Sequence, residues 1–241
     1  MIYYIIIIAQ NNIKQCYYDC YIMFDKISIL KQKGYVPDTI LDIGAFHGNW
    51  TTSMKQIYHD SKYHLFEAID YSELTKFSND ANVTVHNVIL NDKVAEVDWY
   101  QMKNTGDSMF KERTYHFANC EQMKRRSIDL NTLVSQHNIL QESKNILIKI
   151  DCQGAEIPIL KGSTSILEKT DFIILELPLF GQYNEGVPTF LEHIEFMNSI
   201  GFIPYDMLEN HYIRGFNLQV DMLFINKHHD FNNRVINELL L

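Results

Sequence analysis

Two segments about a hundred residues apart constrain this chain most: Thr39-Ile-Leu-Asp-Ile-Gly-Ala-Phe-His-Gly-Asn-Trp50 and Ile148-Lys-Ile-Asp-Cys-Gln-Gly-Ala-Glu156. Each is an apolar run that meets an acidic residue, then a glycine-bearing turn, then the start of a helix. Two such units in one chain predict a parallel sheet that holds a nucleoside-type cofactor at the carboxyl ends of its strands.

The rest of the chain agrees with that frame. Strands are predicted at residues 39–43, 63–67, 83–89, 146–151 and 172–177, and helices at 49–58, 72–79, 155–167 and 189–200. Short apolar strands alternating with helices mean an α/β fold, a parallel sheet with helices on both faces. Residues 94–128 break the rhythm and read as strands joined by a turn-rich loop at Asn104-Thr-Gly-Asp-Ser108. Strands at 202–205 and 220–225, with a loop between, leave too little chain for a crossover helix, so an antiparallel C-terminal hairpin is expected. Residues 232–241 read as a final short helix. Ahead of the first core strand, apolar residues from Ile13 to Leu30 recur at helical spacing, and Gly34 and Pro37 end the pattern. This helix is expected to pack beside the sheet or to cover the cofactor pocket. The expected division is an arm and helix at 1–36 and the sheet domain at 37–241.

Composition narrows the partners. Thirty acidic residues against 21 basic ones give a net charge of -9, which disfavours a nucleic-acid partner, because that affinity rests on Lys and Arg. The short basic run Lys124-Arg125-Arg126 reads as a solvated loop end, with an anionic substrate as the alternative. Four cysteines do not make a disulfide framework, so a reducing compartment is expected. Cys16 and Cys20 sit four apart without a second close pair and read as packing rather than a metal site. The apolar start, Met1-Ile-Tyr-Tyr-Ile-Ile-Ile-Ile8, is shorter than the roughly 20 residues that span a bilayer. It also lacks the basic start and cleavage site of a signal peptide. It reads as a strand or a docking arm at a homodimer contact. A soluble cytoplasmic protein without a membrane partner is expected.

The first segment carries the cofactor chemistry. Asp42 ends a buried strand, Gly44 permits a sharp turn, and Gly48 allows close approach. The helix that follows at Asn49 offers free N–H groups. The spacing is Gly-x-x-x-Gly, not the Gly-x-Gly-x-x-Gly of a pyrophosphate turn. A cofactor with an amino acid and a positive charge but no phosphate fits an acidic turn better, and S-adenosyl-L-methionine is such a molecule. Glu67, 25 residues after Asp42, stands where an acid binds ribose hydroxyls. Asn87 and Ile89, after the third strand, are the expected adenine contacts; a plain strand-to-loop transition explains them as well. His47 is the one histidine near this turn.

At these residues the chain resembles the FkbM-type methyltransferases, a branch of the class I S-adenosylmethionine-dependent enzymes. The matching pieces are Asp42 through Thr51 with Ala45 and Asn49 in the turn, Phe66-Glu67, Ser127-Ile-Asp-Leu-Asn-Thr-Leu133, Lys149 through Glu156, Leu160-Lys-Gly162, Glu176 and Asp221-Met-Leu-Phe-Ile-Asn226. The resemblance spans about residues 38 to 227. It implies a Rossmann-like seven-stranded, mostly parallel sheet whose last strand is antiparallel, and O-methyl transfer to a hydroxyl of a sugar or other small molecule. The family often has Asn where Phe46 and His47 stand.

Methyl transfer needs acceptor and methyl held in line, and a base near a weak hydroxyl nucleophile. Asp151 is the first candidate base and Glu176 the second. Lys149 is a third catalytic candidate, or an internal ion-pair partner of these acids. Glu156 serves the chemistry or hydrogen-bonds within its own turn. Asp151 and Glu176 could together hold a divalent cation, although no dense carboxylate cluster announces one. Enzymes that methylate exocyclic amines often carry (Asp/Asn)-Pro-Pro-aromatic at strand four; Asp151-Cys152-Gln153 fills that place here and favours oxygen. Phe180 and Tyr183 are candidates for an acceptor wall. The competing readings are a nicotinamide oxidoreductase and a non-catalytic binding protein of the same fold. The first lacks the glycine signature and an evident Tyr-x-x-x-Lys pair.

Overall fold

A computed structural model describes residues 23–179 and 183–240 of the chain. The apolar start, Cys16 and Cys20, the first part of the expected N-terminal helix and Phe180 lie outside the described residues. The strands, in chain order, are β1 (Thr39–Ile43), β2 (Lys62–Glu67), β3 (Val83–Asn87), β4 (Ile89–Leu90), β5 (Ala95–Gln101), β6 (Glu121–Ile128), β7 (Ile146–Ile150), β8 (Thr170–Pro178), β9 (Phe202–Ile213) and β10 (Phe216–Asn226). Seven of them form one sheet in the order β3-β2-β1-β7-β8-β10-β9. The neighbours from β3 to β8 are parallel, and β10 runs antiparallel to both β8 and β9. The fold is the expected Rossmann-like α/β sheet with its antiparallel hairpin.

The helices are α1 (23–32), α2 (Asn49–Ile57), α3 (Leu130–His137), α4 (Glu156–Lys161), α5 (Thr164–Leu167), α6 (Phe190–Ser199) and α7 (Asp230–Leu240). β1 and β7 are buried at every residue, as central strands covered on both faces must be. Each face has its own core. One packs Leu41, Ile43, Ile148, Ile150 and Leu175 against residues of α3 to α6. The other packs Ile40, Leu147, Phe172 and Leu223 against Met23, Ile27 and Leu30 of α1, Met54 of α2 and Phe231 of α7. Of the two placements expected for the N-terminal helix, the described part takes the one beside the sheet.

Several local expectations change. The stretch 155–167 is not one helix: it breaks at Gly162, where a Cβ would stand 2.3 Å from the Asn91 carbonyl. The segment that leads into the smaller sheet packs there and leaves room only for bare backbone. The helix expected at 72–79 is a 3-10 turn, Ser72–Phe77. The loop expected after residue 205 is strand. β9 and β10 pair along their length and turn at Arg214-Gly215 with φ of 52° and 84°, the paired positive angles of a two-residue hairpin turn. Helix α3 was not expected. Its N-cap, Asp129, accepts a hydrogen bond from the Thr132 N–H at 2.8 Å, an Asp-x-x-Thr start legible in the sequence. The excursion at 94–128 supplies β5 and β6 of a separate three-stranded sheet, β4-β6-β5, and the strand expected at 83–89 divides into β3 of the main sheet and β4 of this one.

Candidate active site

Strand periodicity aligns the polar residues. Side chains alternate faces along a strand, and paired residues of neighbouring strands share a face. Asp42 pairs with Lys149 across β1 and β7. Asp221 of β10 pairs with Glu176 of β8 on one side and Glu209 of β9 on the other. Asp42, Lys149, Asp151, Glu176, Asp221 and Glu209 therefore form one row on one face, at the carboxyl ends of the parallel strands.

The glycine turn begins the site. A Cβ on Gly44 would stand 1.9 Å from the Asp151 carbonyl oxygen, and its φ is +77°; only glycine lets β1 and β7 end this close together. Phe46 also has positive φ, 49°. Its N–H donates to Glu67 Oε2 at 2.7 Å, and the Ile69 N–H donates to Glu67 Oε1 at 2.9 Å. Burial pushes the Glu67 carboxyl above its usual range against these two bonds. Asp42 is fully buried. Its Oδ2 accepts from Thr51 Oγ1 at 2.6 Å, and its Oδ1 has no hydrogen bond and lies 3.8 Å from Lys149 Nζ. Burial raises its proton affinity, with Lys149 and Thr51 opposing.

Lys149 Nζ also lies 3.2 Å from Asp151 Oδ2. Burial disfavours the ammonium, but Asp151 and Asp42 outweigh it and hold Lys149 above the ordinary lysine range. The same ammonium, with hydrogen bonds, overcomes burial and holds Asp151 below the ordinary range. Glu176 is driven the other way, well above the carboxylate range, by burial and then by Asp151 and Asp221. Gln153, a non-glycine residue at φ 52°, bridges the two acids. Its amide donates to Asp151 Oδ1 at 3.2 Å and Glu176 Oε2 at 2.5 Å, and its carbonyl oxygen accepts from the Tyr183 hydroxyl at 3.2 Å. Glu156 turns back on its own loop and accepts from the N–H groups of Cys152 and Gly154 at 2.9 and 3.3 Å.

A cleft opens at the carboxyl ends of β1, β2 and β7, the place where open α/β sheets bind their ligands. Of the residues expected to hold the cofactor, Gly44, Glu67 and Asp151 line it. Asp42 lies behind the wall and anchors Thr51 and Lys149. Ala45 is buried; Gly48 caps α2 and packs on Phe77. Asn49 and Asn87 are exposed; Asn49 accepts from Lys76, and Asn87 donates to the Glu67 carbonyl at 3.1 Å. Ile89 lines the cleft, but Asn87 does not. His47 stacks on Phe46 and stands outside the lining. The excursion supplies residues that the sequence did not single out: Trp99, Asp107 and Met109. Asp107 braces its own loop by accepting from the Met102 and Lys103 N–H groups at 2.7 and 2.9 Å.

Beside the cleft lies a smaller hollow, lined by Glu156, Glu176, Tyr183 and Gln219. Gln153 lines both spaces. The larger one suits a nucleoside cofactor: a glycine floor, a carboxylate at Glu67, apolar walls, and a buried Tyr71 hydroxyl without a hydrogen-bond partner.

The model of the FkbM methyltransferase domain family matches residues 42–204. Comparison with curated proteins finds no match. Among solved structures, the chain is similar to the FkbM methyltransferase of Methylobacillus flagellatus, at 14% identity and TM-score 0.48, over 78% of this chain and 43% of that one. The chain thus spans less than half of that protein. It is also similar to the 1,6-didemethyltoxoflavin-N1-methyltransferase of Burkholderia thailandensis, at 11% identity and TM-score 0.46, over 85% and 78% of the two chains. Fibrillarin of Aeropyrum pernix is similar at 9% identity and TM-score 0.45, over 85% and 76%. No helix among the described residues is long and apolar enough to cross a membrane. By the family match, which covers more than half of its residues, the chain belongs to the FkbM methyltransferase domain family, and S-adenosyl-L-methionine is its cofactor.

Proposed function

We propose that this methyltransferase acts on oxygen, on a hydroxyl of a sugar or another small metabolite. The observation that carries the reading is the Gln153 bridge. It stands between the large cleft and the small hollow and holds one carboxylate from each side, Asp151 and Glu176. In this reading the cofactor occupies the cleft and the acceptor enters by the hollow.

When bound, S-adenosylmethionine supplies a methyl on a positive sulfonium and leaves as S-adenosylhomocysteine. Gly44 and Glu67 would hold it, with Ile89 and Trp99 as apolar cover. The chain's own work is to align the acceptor oxygen and to take its proton. Asp151 stays ionised beside Lys149 and is a poor proton acceptor for that reason. Glu176, whose proton affinity is raised by burial and by Asp151, is the better base once ionised. The electrostatics thus favour Glu176 over Asp151, the reverse of the order read from sequence. As the acceptor oxygen bonds the methyl carbon, its proton passes to Glu176. Among the described residues Cys120 and Cys152 are free thiols, which suits a reducing cytoplasm.

The test is transfer of labelled methyl to a panel of hydroxylated and amine acceptors, beside calorimetric titration with S-adenosylhomocysteine. Labelled ethers are expected from the wild type. Glu176→Gln is expected to lower the rate by about 10²–10⁴-fold with homocysteine-compound affinity unchanged. Methylated amines as the only products would overturn the oxygen reading.

A further inference from the structure

Beyond the bridge, the row of polar residues ends in a group that methyl transfer does not use. Glu209 and His211 of β9 and Asp221 of β10 bring one imidazole and two carboxylates together, with ligand atoms all within 4.8 Å of one another. Glu209 and Asp221 are 8% and 5% exposed, too buried for acids that merely decorate a surface. His211 Nε2 lies 3.0 Å from Asp221 Oδ2 and 3.9 Å from Glu176 Oε1. A third carboxylate thus borders the group on the side of the small hollow.

The backbone is shaped around these residues. The β9–β10 register slips between Asn217 and Gln219, and again between Asp221 and Met222. The two irregularities flank Glu209 and His211, as bulges do where a strand must re-aim a side chain. Between them the ladder is regular: Asp221 pairs with Glu209 and Gln219 with His211, so His211 is the diagonal neighbour of Asp221 on the same face. The group is also rich in negative charge.

We propose that Glu209, His211 and Asp221 form a binding site for one divalent transition-metal ion. Mixed imidazole and carboxylate donors suit Mn²⁺, Fe²⁺ or Zn²⁺, whereas Mg²⁺ prefers oxygen alone. Three protein donors leave positions for water or a substrate oxygen. Gln219, the ladder partner of His211, lines the hollow beside Glu176, so an ion here borders the acceptor space. That last link rests on the proposed methyl transfer; metal binding itself does not.

The experiment uses the whole chain, freed of metal by chelation and titrated with MnCl₂ by electron paramagnetic resonance and with ZnCl₂ by calorimetry. One equivalent is expected to bind in the micromolar range, with nitrogen modulation of the Mn²⁺ signal from the imidazole. His211→Ala is expected to abolish that modulation and weaken binding at least tenfold. Glu209→Gln, a milder change, is expected to weaken it at least tenfold as well. S-adenosylhomocysteine titration of each variant reports whether the fold survives. Failure of both ions to bind saturably, or unchanged affinity with nitrogen modulation in His211→Ala, would overturn the site and leave His211–Asp221 as an internal ion pair.

Discussion

The two ends of the polar row belong to one sheet, yet they handle buried charge in opposite ways. At β1 and β2 the acids take their hydrogen bonds from the same strand-turn-helix unit, although Asp42 also turns one oxygen to Lys149. Glu67 accepts from backbone N–H groups 21 and 2 residues away, and Asp42 from a hydroxyl 9 residues away. At β8, β10 and β9, charged groups face charged groups that only register brings together: Glu176, Asp221, Glu209 and His211. Backbone donors satisfy a carboxylate without titrating themselves. Side-chain acids crowded together push one another's proton affinity apart. The first end is thus built to hold a ligand, and the second to exchange protons or take up a cation.

Lys149 joins the two ends, and its removal is expected to have the largest effect. Lys149→Met leaves Asp42 and Asp151 buried without their shared cation and should cost about 4 kcal/mol in urea unfolding. A loss under about 1 kcal/mol would mean that backbone donors suffice at both ends. Gly44→Ala comes next, at about 3 kcal/mol, because the Cβ overlaps the Asp151 carbonyl and φ is positive. Homocysteine-compound binding should be lost with it, since the turn that seats Glu67 must move.

Glu156 sharpens the comparison through pH. Burial pushes its carboxyl from 4.5 up to about 7 against the two N–H bonds it accepts. The folded chain holds this proton more tightly than the unfolded chain, so protonation favours folding. The contribution is complete below about pH 4.5 and is lost as the pH rises through about 7. Over that window Glu156→Gln should remove on the order of 3 kcal/mol of pH-dependent stability. Parallel stability curves for the two proteins from pH 4 to 8 would contradict this. The smallest effect is expected at Asn87. It is exposed and bonded to a backbone carbonyl, so Asn87→Ala should change homocysteine-compound affinity less than about threefold by calorimetry.

The same contrast explains what could be read early. Asp42, Gly44 and Glu67 stand out in sequence because their work is done within one strand-turn-helix unit, where spacing is geometry. The hairpin was expected, but not its length, because Asn210, Tyr212 and Asn217 read as a polar loop until β9 and β10 pair. Gln153 was read only as part of the Asp151-Cys152-Gln153 run, not as a bridge. An amide becomes a bridge only when β7 and β8 set two acids on either side of it. Trp99 reaches the cleft from a second sheet and Asp107 from the loop after β5, and no period within the excursion foretells that.

From its sequence alone this chain determines the alternating α/β order, the glycine turn, the acidic strand ends and the methyltransferase family. Those depend on residues close together, where side-chain period and backbone freedom act directly. Tertiary structure alone decided which acid has its proton affinity lowered and which has it raised, and that Glu209, His211 and Asp221 meet. Burial and the distance between charges on different strands set proton affinity, and neither quantity exists until the sheet is assembled.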